Sequence, residues 1–357
     1  MVYGSIGRYR HPVTTLHRIN PWRCFYPTTQ QALAAAENSN GVTVEDARLP
    51  RAAISFYDPV EEETIGDRHF ASLGSSSSNG IISMHPDGNT FLYDGASRGL
   101  RVMPAPHSPK NSSVFLTVGD GLYILEKNPG ADEEDHSFEA LIHHAPSDGR
   151  RFTDENWYWR SLPPPSYAYE DYECQKVGDY YDGRDPYGIR AYAVVGDSQI
   201  WISTRGGGTF SFDTTSGGVW SEAGDWALPF YGRVEYAPEL GLWFGFTSEG
   251  RQLPQFAAYD LGAASPTSPP VLRKVWDELA QPPPPRWVPL MGFLLPLGGG
   301  KFWVARMFDL AHKGWCRGKS GNDYLDVEVV RGSRGALRMI RHKSRRYSVG
   351  CTFAELL

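Results

Sequence analysis

Four short stretches of this chain carry residue types at spacings that could do chemistry. Gly95-Ala96-Ser97-Arg98-Gly99 matches the G-x-S-x-G nucleophile elbow. The elbow needs a strand before it and a helix after it. Leu100-Arg101-Val102-Met103 alternates and runs into Pro104, so a strand follows and the match reads as a hairpin turn. Gly314-Trp315-Cys316-Arg317-Gly318-Lys319-Ser320 is like a phosphate loop but is one residue short between its glycines, and Gly321-Asn322-Asp323 is a turn, not a helix. Gly206-Gly207-Gly208 lacks a following helix and reads as a tight turn. His143-His144 are adjacent on an expected strand, so their side chains point to opposite faces and do not share one ion. Cys24, Cys174, Cys316 and Cys351 are scattered without C-x-x-C spacing, as free thiols of a reducing compartment are. No catalytic set, cofactor site or metal centre is read from the sequence.

Residues suited to binding are denser. Between Ser166 and Asp185, Tyr167, Tyr169, Tyr172, Tyr180 and Tyr181 interleave with acids that include Asp182. The segment interrupts two strand-rich regions and has no apolar face to bury. Long loops on rigid scaffolds carry recognition, and Tyr is a favoured contact residue. It is the candidate binding loop; the alternative is a solvated insertion. The acidic run Asp132 to Asp135 reads as a solvated turn. The basic residues Arg338, Arg341, Lys343, Arg345 and Arg346 read as the exposed side of a strand. Pro282 to Pro285 reads as a stiff polyproline connector.

The elements that would position such loops repeat along the chain. An apolar strand ends in a Gly turn and an aromatic strand follows, as in Ser113 to Leu125, Tyr192 to Ser203, Val234 to Phe246 and Phe293 to Ala305. The turn glycines are Gly119, Gly196, Gly241 and Gly298. Their spacing fits units of roughly 40–50 residues once loop insertions are allowed. A second hairpin recurs three times, with an acid entering its turn: Asp94, Asp213 and Asp260. Such a carboxylate accepts nearby backbone N–H groups and sets the turn. Trp220 supplies a flat apolar plate for packing on a neighbouring sheet. Four-stranded sheets repeated around a circle leave only short, protected edges. The expected fold is all-β: one β-propeller domain over 1–357, with about six four-stranded blades. One short helix is expected near the N-terminus, capped by Thr28 or Thr29, carried by Gln30 to Glu37 and stopped at Asn40-Gly41. Residues 1–45 hold that helix and a strand, around Tyr9 to Ile19, that would close the last blade.

Composition narrows the function classes. The chain has 357 residues, 13% aromatic, with 38 Gly and 27 Pro. Aromatic strands broken by Gly and Pro suit an antiparallel protein. The net charge of −6 disfavours nucleic acid or an anionic membrane as partner. No apolar run approaches the roughly 20 residues of a membrane helix, and no secretory leader is evident. Arg8, Arg10, Arg18 and Arg23 precede the first acid, Glu37, which fits either an organellar transit peptide or an ordinary first strand. The expected compartment is cytoplasmic or nuclear.

The aromatic-x-aromatic-Asp turn with a downstream Trp resembles the Kelch repeat, although only Gly298-Gly299 resembles its double glycine. As a whole the chain resembles a plant family abundant in grasses, domain of unknown function 1668. The carrying stretches are Leu16 to Asn20, Phe91 to Asp94, Trp157 to Pro165, Gly224 to Phe230 and Gly241 to Phe246. The resemblance implies a Kelch-like propeller and a plant source; it implies no activity and no catalytic residue. The expected function is a non-catalytic, monomeric protein-interaction scaffold. Two alternatives stay open: a propeller hydrolase or carbohydrate-active enzyme with a central-channel site, and a ubiquitin-ligase substrate adaptor that works with a separate subunit.

Overall fold

The computed structural model describes residues 2–6, 13–38, 44–57, 68–74, 80–110, 112–130, 136–144, 156–169, 188–204, 206, 208–216, 218–247, 255–277, 287–310, 320–349 and 354–356. Their contacts gather into two compact units, Met1–Glu61 with Phe230–Ala263 and Pro270–Leu357, and Glu62–Pro229 with Ala264–Pro269.

The first unit begins with β1 (Val2–Ile6), β2 (Val13–His17), helix α1 (Thr29–Asn38), β3 (Glu45–Ala47) and β4 (Ala52–Tyr57). It continues with β17 (Tyr231–Ala237), β18 (Leu242–Phe246), β19 (Phe256–Asp260) and β20 (Val271–Trp276), an antiparallel meander. Next come the longer β21 (Trp287–Gly298), β22 (Lys301–Leu310), β23 (Ser320–Arg331) and β24 (Leu337–Val349), and finally β25 (Ala354–Leu356). The strand expected over Tyr9 to Ile19 is β2, and its partners are β1 and β4; β25 pairs with β1, so the two ends of the chain share one sheet. The strand added to the β21–β24 set is β3, parallel to β24. Helix α1 lies within the expected span, and the Thr28 hydroxyl accepts the Gln31 N–H at 3.2 Å as its cap. The core of this unit joins the two meanders through stacked aromatics. Phe244, Phe256 and Trp276 pack on one another, and Phe302 meets Phe244 with ring centres 4.6 Å apart.

The second unit holds three antiparallel sets of four. They are β5 (His69–Leu73), β6 (Gly80–Met84), β7 (Thr90–Asp94) and β8 (Leu100–Met103); β9 (Ser113–Val118), β10 (Gly121–Glu126), β11 (Phe138–His144) and β12 (Asn156–Ser161); and β13 (Ile189–Val195), β14 (Gln199–Thr204), β15 (Thr209–Asp213) and β16 (Trp220–Gly224). Strict alternation places Val114, Leu116 and Val118 inward on β9. The β9–β10 hairpin turns at Gly119, whose φ of 56° suits a residue without a Cβ. Gly196, Gly241 and Gly298 stand at the corresponding turns. Phe138 of β11 meets Phe212 edge-on at 4.9 Å and Trp220 at 5.5 Å, so Trp220 packs against the preceding sheet while its indole N–H reaches the Pro163 carbonyl at 2.8 Å.

Candidate functional site

The loop-forming residues are placed by their turns. Asp94 accepts the Ala96 N–H at 2.8 Å and the Ser97 hydroxyl at 2.6 Å, so Ser97 is tied into the hairpin turn between β7 and β8. Asp213 accepts the N–H groups of Thr215 and Ser216, and these bonds, that of Thr215 foremost, hold its carboxyl down at about 2. Asp260 accepts the Ala263 N–H and an Arg273 guanidinium at 2.7 Å, and Arg273 holds its carboxyl below the usual range. Among the tyrosines, Tyr167 is buried in a 3-10 turn spanning Ser166–Tyr169, its ring 4.9 Å from that of Phe210. It is a core side chain in a segment whose composition suggested exposure. Tyr169 is exposed. Tyr172, Tyr180, Tyr181 and Asp182 lie outside the described residues, as do the Pro run and most of Gly314 to Ser320.

Sequence reasoning missed a polar cluster built on β11. Glu139 and Lys110 are both fully buried. The ammonium stands 2.8 Å from Glu139 Oε2 as an ion pair and donates to Ser108 Oγ at 2.7 Å and to the His136 carbonyl at 2.8 Å. Glu139 Oε1 accepts both the N–H of His107 at 3.2 Å and its ring Nδ1 at 2.5 Å. The His136 ring lies beside that of His107, with ring centres 4.8 Å apart and planes inclined at 30°, and holds Ser161 Oγ at 2.7 Å through Nδ1. The arrangement is a latch. It ties the connector between β8 and β9 to the sheet that follows. A charged residue between Phe138 and Ala140 in an apolar strand was the available signal.

A second buried cluster ties residues 20–29 to β23 and β24. His342 Nδ1 accepts the Tyr26 N–H at 3.1 Å, and its Nε2 faces Glu328 at 3.1 Å. Thr29 donates its hydroxyl to the same carboxylate. Burial lowers the His342 pKa, with Glu328 acting in the opposite sense. Asp326, 1% exposed, sits at a bulge in the β23–β24 pairing. Its carboxylate oxygens have no nitrogen or hydroxyl hydrogen-bond partner among the described residues, and the Cys24 thiol lies beside them. Burial pushes this carboxyl up to about 8, against the pull of Arg345 and Lys343. Burial, with Asp326 beside it, pushes the pKa of the buried, free Cys24 thiol up to about 11, which disfavours the thiolate.

Several exposed apolar side chains fall on the outermost strands, while Tyr231 and Tyr236 of β17 and Trp22 and Tyr169 in 3-10 turns are exposed elsewhere. Leu100 and Val102 of β8 are 51% and 77% exposed, and Tyr158 of β12 and Val271 and Leu272 of β20 are also exposed, as is Val219 just before β16. Each of these strands ends its set in the order of pairing. Among the described residues no three His, Cys, Asp or Glu side chains are grouped to hold a metal ion, and no helix is long and apolar enough to cross a membrane.

Among solved structures, the chain is similar to an auxiliary nutrient binding protein from Bacteroides ovatus (11% identity, TM-score 0.40), covering 93% of this chain and 65% of that one. It thus spans about two thirds of that protein's length. It is also similar to the N-terminal domain of Nup159 (10% identity, TM-score 0.36, 98% of this chain and 73% of that one). A third likeness is to the dihydro-heme d1 dehydrogenase NirN in complex with DHE (13% identity, TM-score 0.35, 78% of this chain and 58% of that one). At these scores none of the three bears on what this chain does. No curated protein matches the chain by sequence. The family model described as protein of unknown function, DUF1668, matches residues 5–347, nearly the whole length, and the chain belongs to that family.

Proposed function

We propose that the chain is a non-catalytic protein-interaction scaffold: a single, monomeric, Kelch-like propeller of about six four-stranded blades, from a plant, acting in the cytoplasm or nucleus. The observation that carries this reading is the exposure of apolar side chains on the outermost strands β8, β12 and β20, and beside β16. Exposed apolar groups at open strand edges are binding surface when a partner covers them. The polar clusters, by contrast, have their carboxylates and ammonium spent on holding connectors in place, or held neutral by burial. The net charge of −6 supports a protein partner over nucleic acid. The tyrosines from Tyr169 onward remain the proposed recognition loop, with Tyr167 as its buried anchor.

Proximity labelling in the source tissue tests the reading, using three versions of the full chain. The first is native. The second carries Tyr169→Ala with residues 170–185 replaced by a Gly-Ser linker, leaving Tyr167 in place. The third carries Leu100→Ser and Val102→Ser. A defined set of labelled proteins that is lost with the second or third version is the expected result. Identical labelling by all three rejects both surfaces.

A further inference from the structure

We propose that His107 and His136 form a surface site for a divalent transition-metal ion of the zinc, nickel or copper type. The site rests on how the two rings are anchored. Glu139 and Ser161 are direct cross-strand partners on β11 and β12. Paired residues share a face of the sheet, with Cβ atoms roughly 5 Å apart. His107 fixes its Nδ1 on Glu139, and His136 fixes its Nδ1 on Ser161. The two imidazoles therefore stand side by side over neighbouring anchors, with their Nε2 edges turned away from them. Neither Nε2 has a hydrogen-bond partner among the described residues, and the His107 side chain is 46% exposed.

The protonation pattern suits a ligand. Glu139 is an ion-paired carboxylate and only accepts, so His107 donates to it through Nδ1, and in the neutral ring the lone pair is then on Nε2. The Ser161 hydroxyl can accept in the same way, and the tautomer of His136 that donates to it also turns its lone pair to Nε2. A carboxylate or hydroxyl behind Nδ1 is the outer partner that orients metal-bound imidazoles and raises their basicity. The spacing agrees as well. With metal–nitrogen bonds of about 2.1 Å, two imidazoles meeting one ion near a right angle have ring centres roughly 4.5–5 Å apart; here they are 4.8 Å apart, with their planes inclined at 30°. The protein supplies two nitrogen ligands, and water completes the shell. Imidazole selects zinc, nickel and copper over magnesium and calcium, which demand oxygen.

Calorimetric titration of the full chain with Zn2+, Ni2+ and Mg2+ tests the site, together with electron paramagnetic resonance at one equivalent of Cu2+. Zn2+ and Ni2+ are expected to bind one per chain and Mg2+ not at all. His107→Ala and His136→Ala should each weaken Ni2+ binding at least tenfold. Ser161→Ala, which removes only the outer partner, should weaken it by about tenfold. The Cu2+ spectrum of the native chain should show coupling to two imidazole nitrogens, a readout that needs no variant to fold. Binding unchanged in both His variants, no saturable binding by the native chain, or a Cu2+ spectrum without two nitrogens overturns the proposal.

Discussion

Two connecting segments are pinned to sheets by buried polar groups, and they are pinned by opposite means. The connector before β9 is held by a complete charge pair: Lys110 neutralises Glu139, and its remaining N–H groups reach Ser108 and the His136 carbonyl. The segment from Asn20 to Thr29 packs beside a buried acid with no hydrogen-bonded counter-charge. Asp326 is kept neutral by burial, and only the neighbouring Glu328 is engaged by His342 and Thr29. A buried ion escapes its desolvation penalty either by pairing or by giving up its charge. Paired ions are insensitive to modest pH change but fail if one partner goes. A neutralised acid tolerates substitution but ties stability to pH.

The sharpest way to break the contrast is Lys110→Met, which leaves Glu139 buried and uncompensated. It should destabilise the fold by about 3–5 kcal/mol, and Lys110→Met with Glu139→Leu should recover most of that, as read by urea unfolding. If the single substitution is nearly neutral, the pair is not what holds the connector.

The second effect is a pH dependence. The folded pKa of Asp326, about 8, lies above its ordinary value of 3.8. Between those values the folded chain binds the extra proton, so this group's contribution to stability falls as pH rises from about 4 to about 8 and is level above that. Asp326→Asn abolishes the titration. The variant should therefore gain on the native chain steadily across that window in urea midpoints taken at several pH values. A constant difference across the window rejects the neutral-acid account.

Smaller effects sharpen the comparison. Thr28→Ala removes the cap of the helix that follows the N-terminal segment and should lower stability by about 1 kcal/mol without altering its pH profile. Circular dichroism during thermal unfolding at two pH values checks both halves of that statement. Val102→Ser, on an exposed side chain that neither cluster touches, should change stability by no more than about 0.5 kcal/mol. It should still cut the capture of the labelled partner proteins, measured by quantitative pull-down against the native chain.

Local order was plain in the residues. Gln30 to Glu37 read as a helix, and α1 covers it, because good helix formers followed a capping Thr. The pairs around Gly119 and Gly196 read as hairpins, because strand-forming residues flank residues that accept a left-handed turn. Asp94, Asp213 and Asp260 lie in turns that their own carboxylates bridge. The flanks of Ser97 alone exclude a nucleophile elbow, and its bond to Asp94 ties it into the turn.

Burial was another matter. Glu139 and Asp326 occupy strand positions that a single-faced sheet would turn to solvent, yet both faces of their strands are covered. Lys110 sits among Ser, Pro and Asn, in a stretch that reads as surface loop. Tyr167 is continuous in composition with an exposed tyrosine run, yet Phe210, far along the chain, closes over it. The partners of the strand around Val13 to His17 likewise are β1 and β4, and β25, from the other end of the chain, pairs with β1. Strand, helix and turn preferences act over a few residues and are written in consecutive positions. Burial of a charge, the approach of His107 to His136 and the joining of the two chain ends are contacts between distant segments. Their energies exist only once the sheets have assembled, so no neighbouring residue announces them.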